Sequence, residues 1–209
     1  MELVISHLVK SFGSKRVLND CDFVFEEDRI YGLLGRNGSG KTTFFNCINS
    51  DIEINSGEFY FREDKDSSGK ILLQPEDIGY VVSTPTVPEF MTGREFLKFF
   101  IEVHEEITPD KTIDEYFDYM MIPEDDRDRI LKDYSHGTKN KMQMLVNLIA
   151  KPKLMLLDEP LTSLDVIVAE EMKNVIRSQK KGRITIFSTH LLDELESKLG
   201  AYGFIRVHQ

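Results

Sequence analysis

Eight residues, Gly35-Arg36-Asn37-Gly38-Ser39-Gly40-Lys41-Thr42, follow the spacing G-x-x-x-x-G-K-[ST]. Glycines at these intervals let a loop wrap so that successive backbone N–H groups point inward at an anion. A helix that follows such a loop presents its positive end to the same anion. The Lys41 ammonium is placed to reach β- and γ-phosphates, and the Thr42 hydroxyl to ligate Mg²⁺. The stretch from Gly35 to Thr43 is therefore expected to cradle a nucleoside triphosphate.

A second group completes such a site. Leu154-Met155-Leu156-Leu157 is an apolar run that ends in two carboxylates, Asp158 and Glu159. A run of this kind reads as a strand buried in a parallel sheet, and the residues after it emerge where doubly wound folds bind their ligands. Asp158 is expected in the Mg²⁺ shell. Glu159 is expected beside the γ-phosphate, where it polarises the attacking water.

The elements that must position these groups follow from periodicity. Apolar runs or alternation predict strands at Glu2 to Phe12, Asp22 to Glu26, Arg29 to Leu34, Gly57 to Phe61, Ile78 to Val82, Leu154 to Leu157 and Ile184 to Ser188, and an edge strand at Tyr202 to Val207. Helices are expected at Thr42 to Asn49, Val166 to Gln179 and from Leu191, with a polar hairpin through Asp64 to Gly69. Between Gly93 and Ile149 the pattern is helical. Phe96, Leu97, Phe100, Ile101 and Val103 can line one face, as can Tyr116, Phe117, Met120 and Met121. Pro109 and Pro123 mark helix starts or turns. The whole reads as one α/β domain over residues 1–209, interrupted by a mainly helical arm at about 84–133.

Composition narrows the function. The chain has 209 residues, 41% hydrophobic and 30% charged, with a formal net charge of −10. Twelve acidic and four basic residues lie between Glu102 and Asp133, a block that reads as a solvated helical face. This balance argues against a nucleic-acid partner, which would need a basic stripe. Cys21 and Cys47 match no metal-ligand spacing and read as reduced core thiols. No apolar run approaches the roughly 18 residues of a membrane helix, and Met1-Glu2-Leu3-Val4 does not open a signal peptide. A membrane role is expected to come through a partner chain. Asn140-Lys141 is followed by Met142-Gln143 and lacks the aspartate that reads guanine, which disfavours a GTPase.

With these residues in place, the chain resembles the ATP-binding cassette (ABC) ATPases over essentially its whole length. Phe12, in Ser11-Phe12-Gly13, holds the place of the family's adenine-stacking aromatic. The family's signature, typically L-S-G-G-Q, corresponds to Tyr134-Ser135-His136-Gly137-Thr138; Ser135 and Gly137 match, while His136 and Thr138 depart. Thr162-Ser163-Leu164-Asp165 resembles the dimer-contact loop, and His190 in Ser188-Thr189-His190 the histidine switch at the γ-phosphate. Ser83 stands where the family places the lid glutamine and is too short to replace it directly. The resemblance implies a P-loop NTPase core with a mainly parallel sheet, an N-terminal antiparallel β subdomain and an inserted helical subdomain. It implies ATP and Mg²⁺ as ligands and catalysis by Glu159, His190 and Lys41. It further implies a head-to-tail dimer with an identical or different cassette, in which Ser135 to Thr138 act on the partner's ATP. A separate membrane permease, of the bacterial exporter type, would be the other partner, with the chain cytoplasmic and peripheral on the inner face of the membrane. Two other readings stay open: a cassette that binds ATP but turns over slowly, suggested by Ser83, His136 and Thr138, and a soluble ABC protein of translation or DNA repair.

Overall fold

The computed structural model describes residues 1–63, 65, 69–191 and 203–206. Eight strands and six helices are built from them in the order β1 (Glu2–Phe12), β2 (Lys15–Glu26), β3 (Arg29–Leu34), α1 (Lys41–Ile48), β4 (Ser56–Arg62), β5 (Ile78–Val81), α2 (Gly93–Val103), α3 (Ile113–Tyr119), α4 (Glu124–Arg127), α5 (His136–Ala150), β6 (Leu154–Leu157), α6 (Val166–Ser178), β7 (Ile184–Thr189) and β8 (Gly203–Arg206). Strands β2-β1-β4 form an antiparallel sheet. Strands β5-β6-β7-β3-β8 form a second sheet in which every pairing is parallel. The strand expected at Tyr202 to Val207 is β8, at the sheet edge. The helix expected from Leu191 lies outside the described residues, as does most of the hairpin expected at Asp64 to Gly69.

Strand side chains alternate between faces, and two cores follow from that period. Leu154 and Leu156 of β6, with Ile184 and Ile186 of β7, pack with Phe44, Phe45 and Ile48 of α1 and with Leu3, Ile5 and Phe25 of the antiparallel sheet. Met155, Leu157 and Phe187 point the other way, into a core shared with α5, α6 and the helical arm. Burying a leucine or phenylalanine in this way contributes about 1.5–3 kcal/mol each. The parallel sheet, covered on both faces, is the rigid base from which the site residues project.

The helical arm is less regular than its apolar pattern suggests. Thr92 and Thr112 each open a helix with a full capping box, closed by Glu95 and Glu115. Leu97 and Phe117 are fully buried, but Val103 is 52% and Met121 45% exposed. Val103 is the last residue of α2, and Met121 follows the end of α3 in a left-handed turn (φ 50°), so neither stays on its helix's buried face. Cys47 is buried and Cys21 half-buried.

The acidic block is more organised than a solvated face. Arg94 pairs with Asp114 at 2.9 Å and with Asp128 at 2.9 Å, and Arg127 bonds Asp114 and Asp118. Both guanidinium groups lie over the Phe117 ring, at 5.8 and 5.5 Å from its centroid. Two arginines thus tie three loop and helix segments together.

Asp110 makes a separate tie. Its carboxylate accepts from the Tyr116 hydroxyl at 2.7 Å and pairs with Lys151, just past α5, at 3.1 Å. These partners, the Tyr116 hydroxyl first, hold its pKa down at about 2 against an ordinary 3.8. A depressed carboxylate adds stability that is present above its unfolded pKa and lost as pH falls towards its folded one. Asp110→Asn is therefore expected to be less stable than the parent near neutral pH. The gap should close between about pH 4 and about pH 2, read from urea unfolding midpoints of the two proteins. A gap independent of pH over that window would contradict the assignment.

Candidate functional site

The carboxyl ends of four neighbouring strands converge on one cleft of about 470 Å³. Strand β3 runs into the glycine loop, β6 into Asp158 and Glu159, β7 into His190, and β5 towards Ser83. Phe12, Asn37, Gly38, Gly40, Lys41, Thr42, Thr43, Ser83, Asp158 and Glu159 line the cleft, together with Lys15 and Val17 of β2.

The loop is held from below and open above. Gly35 N–H donates to Thr189 O at 3.2 Å, and Ser39 N–H to Arg36 O at 3.1 Å. Gly40 sits at φ 105°, as the N-cap of α1, and no side chain caps that helix. A Cβ at Gly40 would meet Val17 Cγ1 at 2.8 Å, so only glycine lets the antiparallel sheet close on the loop. The Ser39 hydroxyl is buried without a partner. An orphaned hydroxyl, an uncapped helix N-terminus and glycines at positions 35, 38 and 40 of the loop fit an anion with several oxygens.

Lys41 is buried, and its Nζ lies 2.8 Å from Gly35 O, 3.3 Å from Arg36 O and 3.4 Å from Glu159 Oε1. Its positive charge thus meets acceptors from both halves of the site. Thr42 Oγ1 donates to Asp158 Oδ2 at 2.8 Å, which puts the two groups expected to share a metal in direct contact. Thr42 hydroxyl and Asp158 carboxylate oxygens are hard donors of the kind Mg²⁺ takes.

Two further groups set the acid pair. Glu159 adopts a left-handed backbone (φ 48°), uncommon for a residue with a side chain. Its Oε1 lies 3.6 Å from His190 Nδ1, and its Oε2 accepts from Thr162 Oγ1 at 3.3 Å. Ser188 joins the carboxylates: its hydroxyl donates to Asp158 Oδ1 at 2.5 Å and accepts the Glu159 N–H at 2.9 Å. One serine therefore fixes the rotamer of Asp158 and the peptide of Glu159. In the sequence Ser188 stands out only as the end of the expected strand Ile184 to Ser188 and as a neighbour of His190; a polar residue at the end of an apolar strand is the signal that marks it. Close by, burial and the Asp158 and Asp51 carboxylates push the Tyr80 phenol up, so it stays protonated and donates to Asn46 Oδ1 at 3.0 Å.

The structure brings Lys41, Thr42, Asp158, Glu159 and His190 together, and sets Phe12 at the cleft with Lys10 Nζ 4.8 Å from its ring centroid. Ser135, His136, Gly137 and Thr138 are not among the residues that line this cleft. They form the start of α5, where exposed Ser135 is the N-cap and its Oγ accepts Thr138 N–H at 3.0 Å. Ser163 has a left-handed backbone (φ 63°), Leu164 follows, and Asp165 caps α6 by accepting from Ile167 and Val168 N–H, each at 3.0 Å. Beside them Val166 and Ile167 are 86% and 72% exposed. Among the described residues, no helix is long and apolar enough to cross a membrane.

Comparison with known proteins places the chain in a family. Residues 18–162 match the family described as ABC transporter. The uncharacterized ABC transporter ATP-binding protein YdbJ of Bacillus subtilis is 33% identical over 93% of this chain, and the chain spans 63% of its length. The corresponding protein MJ1023 of Methanocaldococcus jannaschii is 34% identical over 93% of this chain and is spanned over 70% of its length. A solved ATP-binding subunit of an ABC transporter superposes on the whole chain with a TM-score of 0.80 at 23% identity, over 86% of its own chain, a likeness of fold.

Proposed function

The chain belongs to the ABC transporter family of ATP-binding proteins, and from that premise we propose that it binds and hydrolyses ATP to power transport through a separate membrane permease. The observation that carries the reading is the 3.4 Å approach of Lys41 Nζ to Glu159 Oε1 at one cleft, with Thr42 and Asp158 paired beside them. A loop cation and a strand-end carboxylate placed so closely can address one triphosphate.

Each residue then has a role. Phe12 stacks on the adenine. The N–H groups of the loop from Gly35 to Thr43 receive the phosphates, and Lys41 exchanges its loop carbonyls for β- and γ-phosphate oxygens. Thr42 and Asp158 would hold Mg²⁺, which neutralises charge on the β- and γ-oxygens when bound. Glu159 accepts a proton from water as the water oxygen bonds the γ-phosphorus and the bond to the β–γ bridging oxygen breaks, releasing ADP and phosphate, and His190 donates a hydrogen bond to the γ-phosphate. Ser188 keeps both carboxylates in register.

The signature residues Ser135 to Thr138 act on the ATP of a second cassette. Their place at the head of α5, outside their own cleft and with Ser135 and His136 exposed, supports this, and so do the exposed Val166 and Ile167 beside the dimer-contact residues Ser163, Leu164 and Asp165. The partner cassette is identical or different. The acidic balance supports protein partners and no nucleic acid. The chain works in the cytoplasm, peripheral on the inner face of the membrane, as one domain over residues 1–209.

A second reading, ATP binding with slow turnover, draws on Ser83, which lines the cleft but is too short to extend across it as a glutamine would. One experiment separates the two. The chain is captured from detergent-solubilised membranes of its own cells, and phosphate release is measured alone and with whatever multi-span chain accompanies it. The transport reading expects such a companion and faster release in its presence. Release no faster than from Glu159→Gln in either state favours the binding-only cassette.

A further inference from the structure

Ser83 is short, but a glutamine stands directly behind its peptide. Gln143, on α5, is 7% exposed, and its Nε2 donates to Val82 O at 3.3 Å and to Asn140 Oδ1 at 3.4 Å. Both partners are carbonyl oxygens, so the amide must turn its two N–H groups towards them; a side chain offering only acceptors cannot replace it. The Val82 carbonyl and the Ser83 N–H belong to one planar trans peptide and point in opposite directions. Holding the carbonyl against α5 therefore turns the Ser83 N–H away from α5 and fixes the backbone of a cleft residue.

The same helix is seated on β5 one turn further along. Asn147 Nδ2 donates to Gln143 O at 2.8 Å, and a Cβ at Gly79 would come within 2.2 Å of Asn147 Oδ1. Contact with β5 and the residue after it is thus made at two levels along α5. That helix is 15 residues long, and its N-terminus is capped by Ser135.

We propose that Gln143 is a positioning residue that couples the triphosphate end of the cleft, through Val82 and Ser83, to the signature helix, in place of a long side chain at position 83. The inference rests on the ATPase reading above. A ligand that engages the Ser83 peptide shifts the Val82 carbonyl, Gln143 carries that shift into α5, and Ser135 is re-aimed towards the second nucleotide.

The test is hydrogen exchange followed by mass spectrometry on the intact Glu159→Gln chain, with ATP and Mg²⁺ as the probe. ATP is expected to slow exchange both in the Gly35–Thr43 segment and in the Ser135–Asn140 segment. Adding Gln143→Met, which keeps volume but removes the donor, should leave the first response at ATP concentrations within about threefold of the parent and abolish the second. A merely structural role would weaken both responses together, and that outcome overturns the proposal. So does a Ser135–Asn140 response that survives Gln143→Met, or one missing from the parent while its Gly35–Thr43 segment responds. No response in the parent's Gly35–Thr43 segment would instead sink the ATPase reading itself. Should Gln143→Met not fold, Gln143→Asn, one methylene short of Val82 O, takes its place with the same expected split.

Discussion

Glu159→Gln is expected to lower steady-state phosphate release by about 10²–10⁴-fold while leaving ATP bound at least as tightly as in the parent. That loss corresponds to roughly 2.7–5.5 kcal/mol of transition-state stabilisation. The substitution keeps the shape of the side chain, and its contacts with Thr162 Oγ1 and the Ser188 hydroxyl survive, because the latter uses the backbone N–H. What it removes is a base within reach of the γ-phosphate. It also removes a carboxylate that sits 3.4 Å from Lys41 and would repel a triphosphate, so binding should hold or strengthen. Phosphate release and equilibrium binding of a fluorescent ATP analogue, measured on the same preparation, check the two halves. Release equal to the parent's would remove Glu159 from the chemistry.

Lys41→Ala should do the reverse, abolishing binding and turnover together. Charge-assisted hydrogen bonds contribute about 1.5–3 kcal/mol each, so losing even one to the phosphates weakens ATP binding by roughly 10–150-fold. The lysine is buried, and its removal also leaves Gly35 O, Arg36 O and Glu159 short of a donor. Lys41→Arg is not expected to rescue, because a planar guanidinium cannot enter a site shaped around a compact ammonium. Isothermal titration with ATP and Mg²⁺ reads the difference. ATP affinity within about threefold of the parent in Lys41→Ala would contradict the role given to the loop.

The parts of this site that are legible in the sequence are those whose chemistry forces a local pattern. A loop that wraps phosphates needs glycine at fixed steps, and Gly40 adopts the left-handed backbone (φ 105°) that such a loop demands. The run Leu154 to Leu157 is apolar on both faces because the parallel sheet is covered on both, and that places Asp158 and Glu159 at its end. Residues that act through long-range contacts leave no such pattern. Ser188 meets the acid pair across 29 to 30 positions of sequence, and Gln143 meets Val82 across 61. Val17 closes on Gly40 only because the antiparallel sheet folds over the loop. The arm misleads for a related reason. Its helical period is real, but its short helices end at Val103 and Tyr119, and an apolar residue at or past the end of a helix, such as Val103 or Met121, is free to face water. The acidic block reads as excess charge because Arg94 and Arg127 reach their carboxylates from different elements.

A crystal structure of the Glu159→Gln chain grown with ATP and Mg²⁺ tests the central claim most directly. The γ-phosphate should lie between Lys41 and residue 159, with Lys41 Nζ withdrawn from Gly35 O and bonded to phosphate oxygens, and with the metal between Thr42 and Asp158. A nucleotide bound elsewhere, with the Lys41 contacts to Gly35 and Arg36 intact, would contradict it.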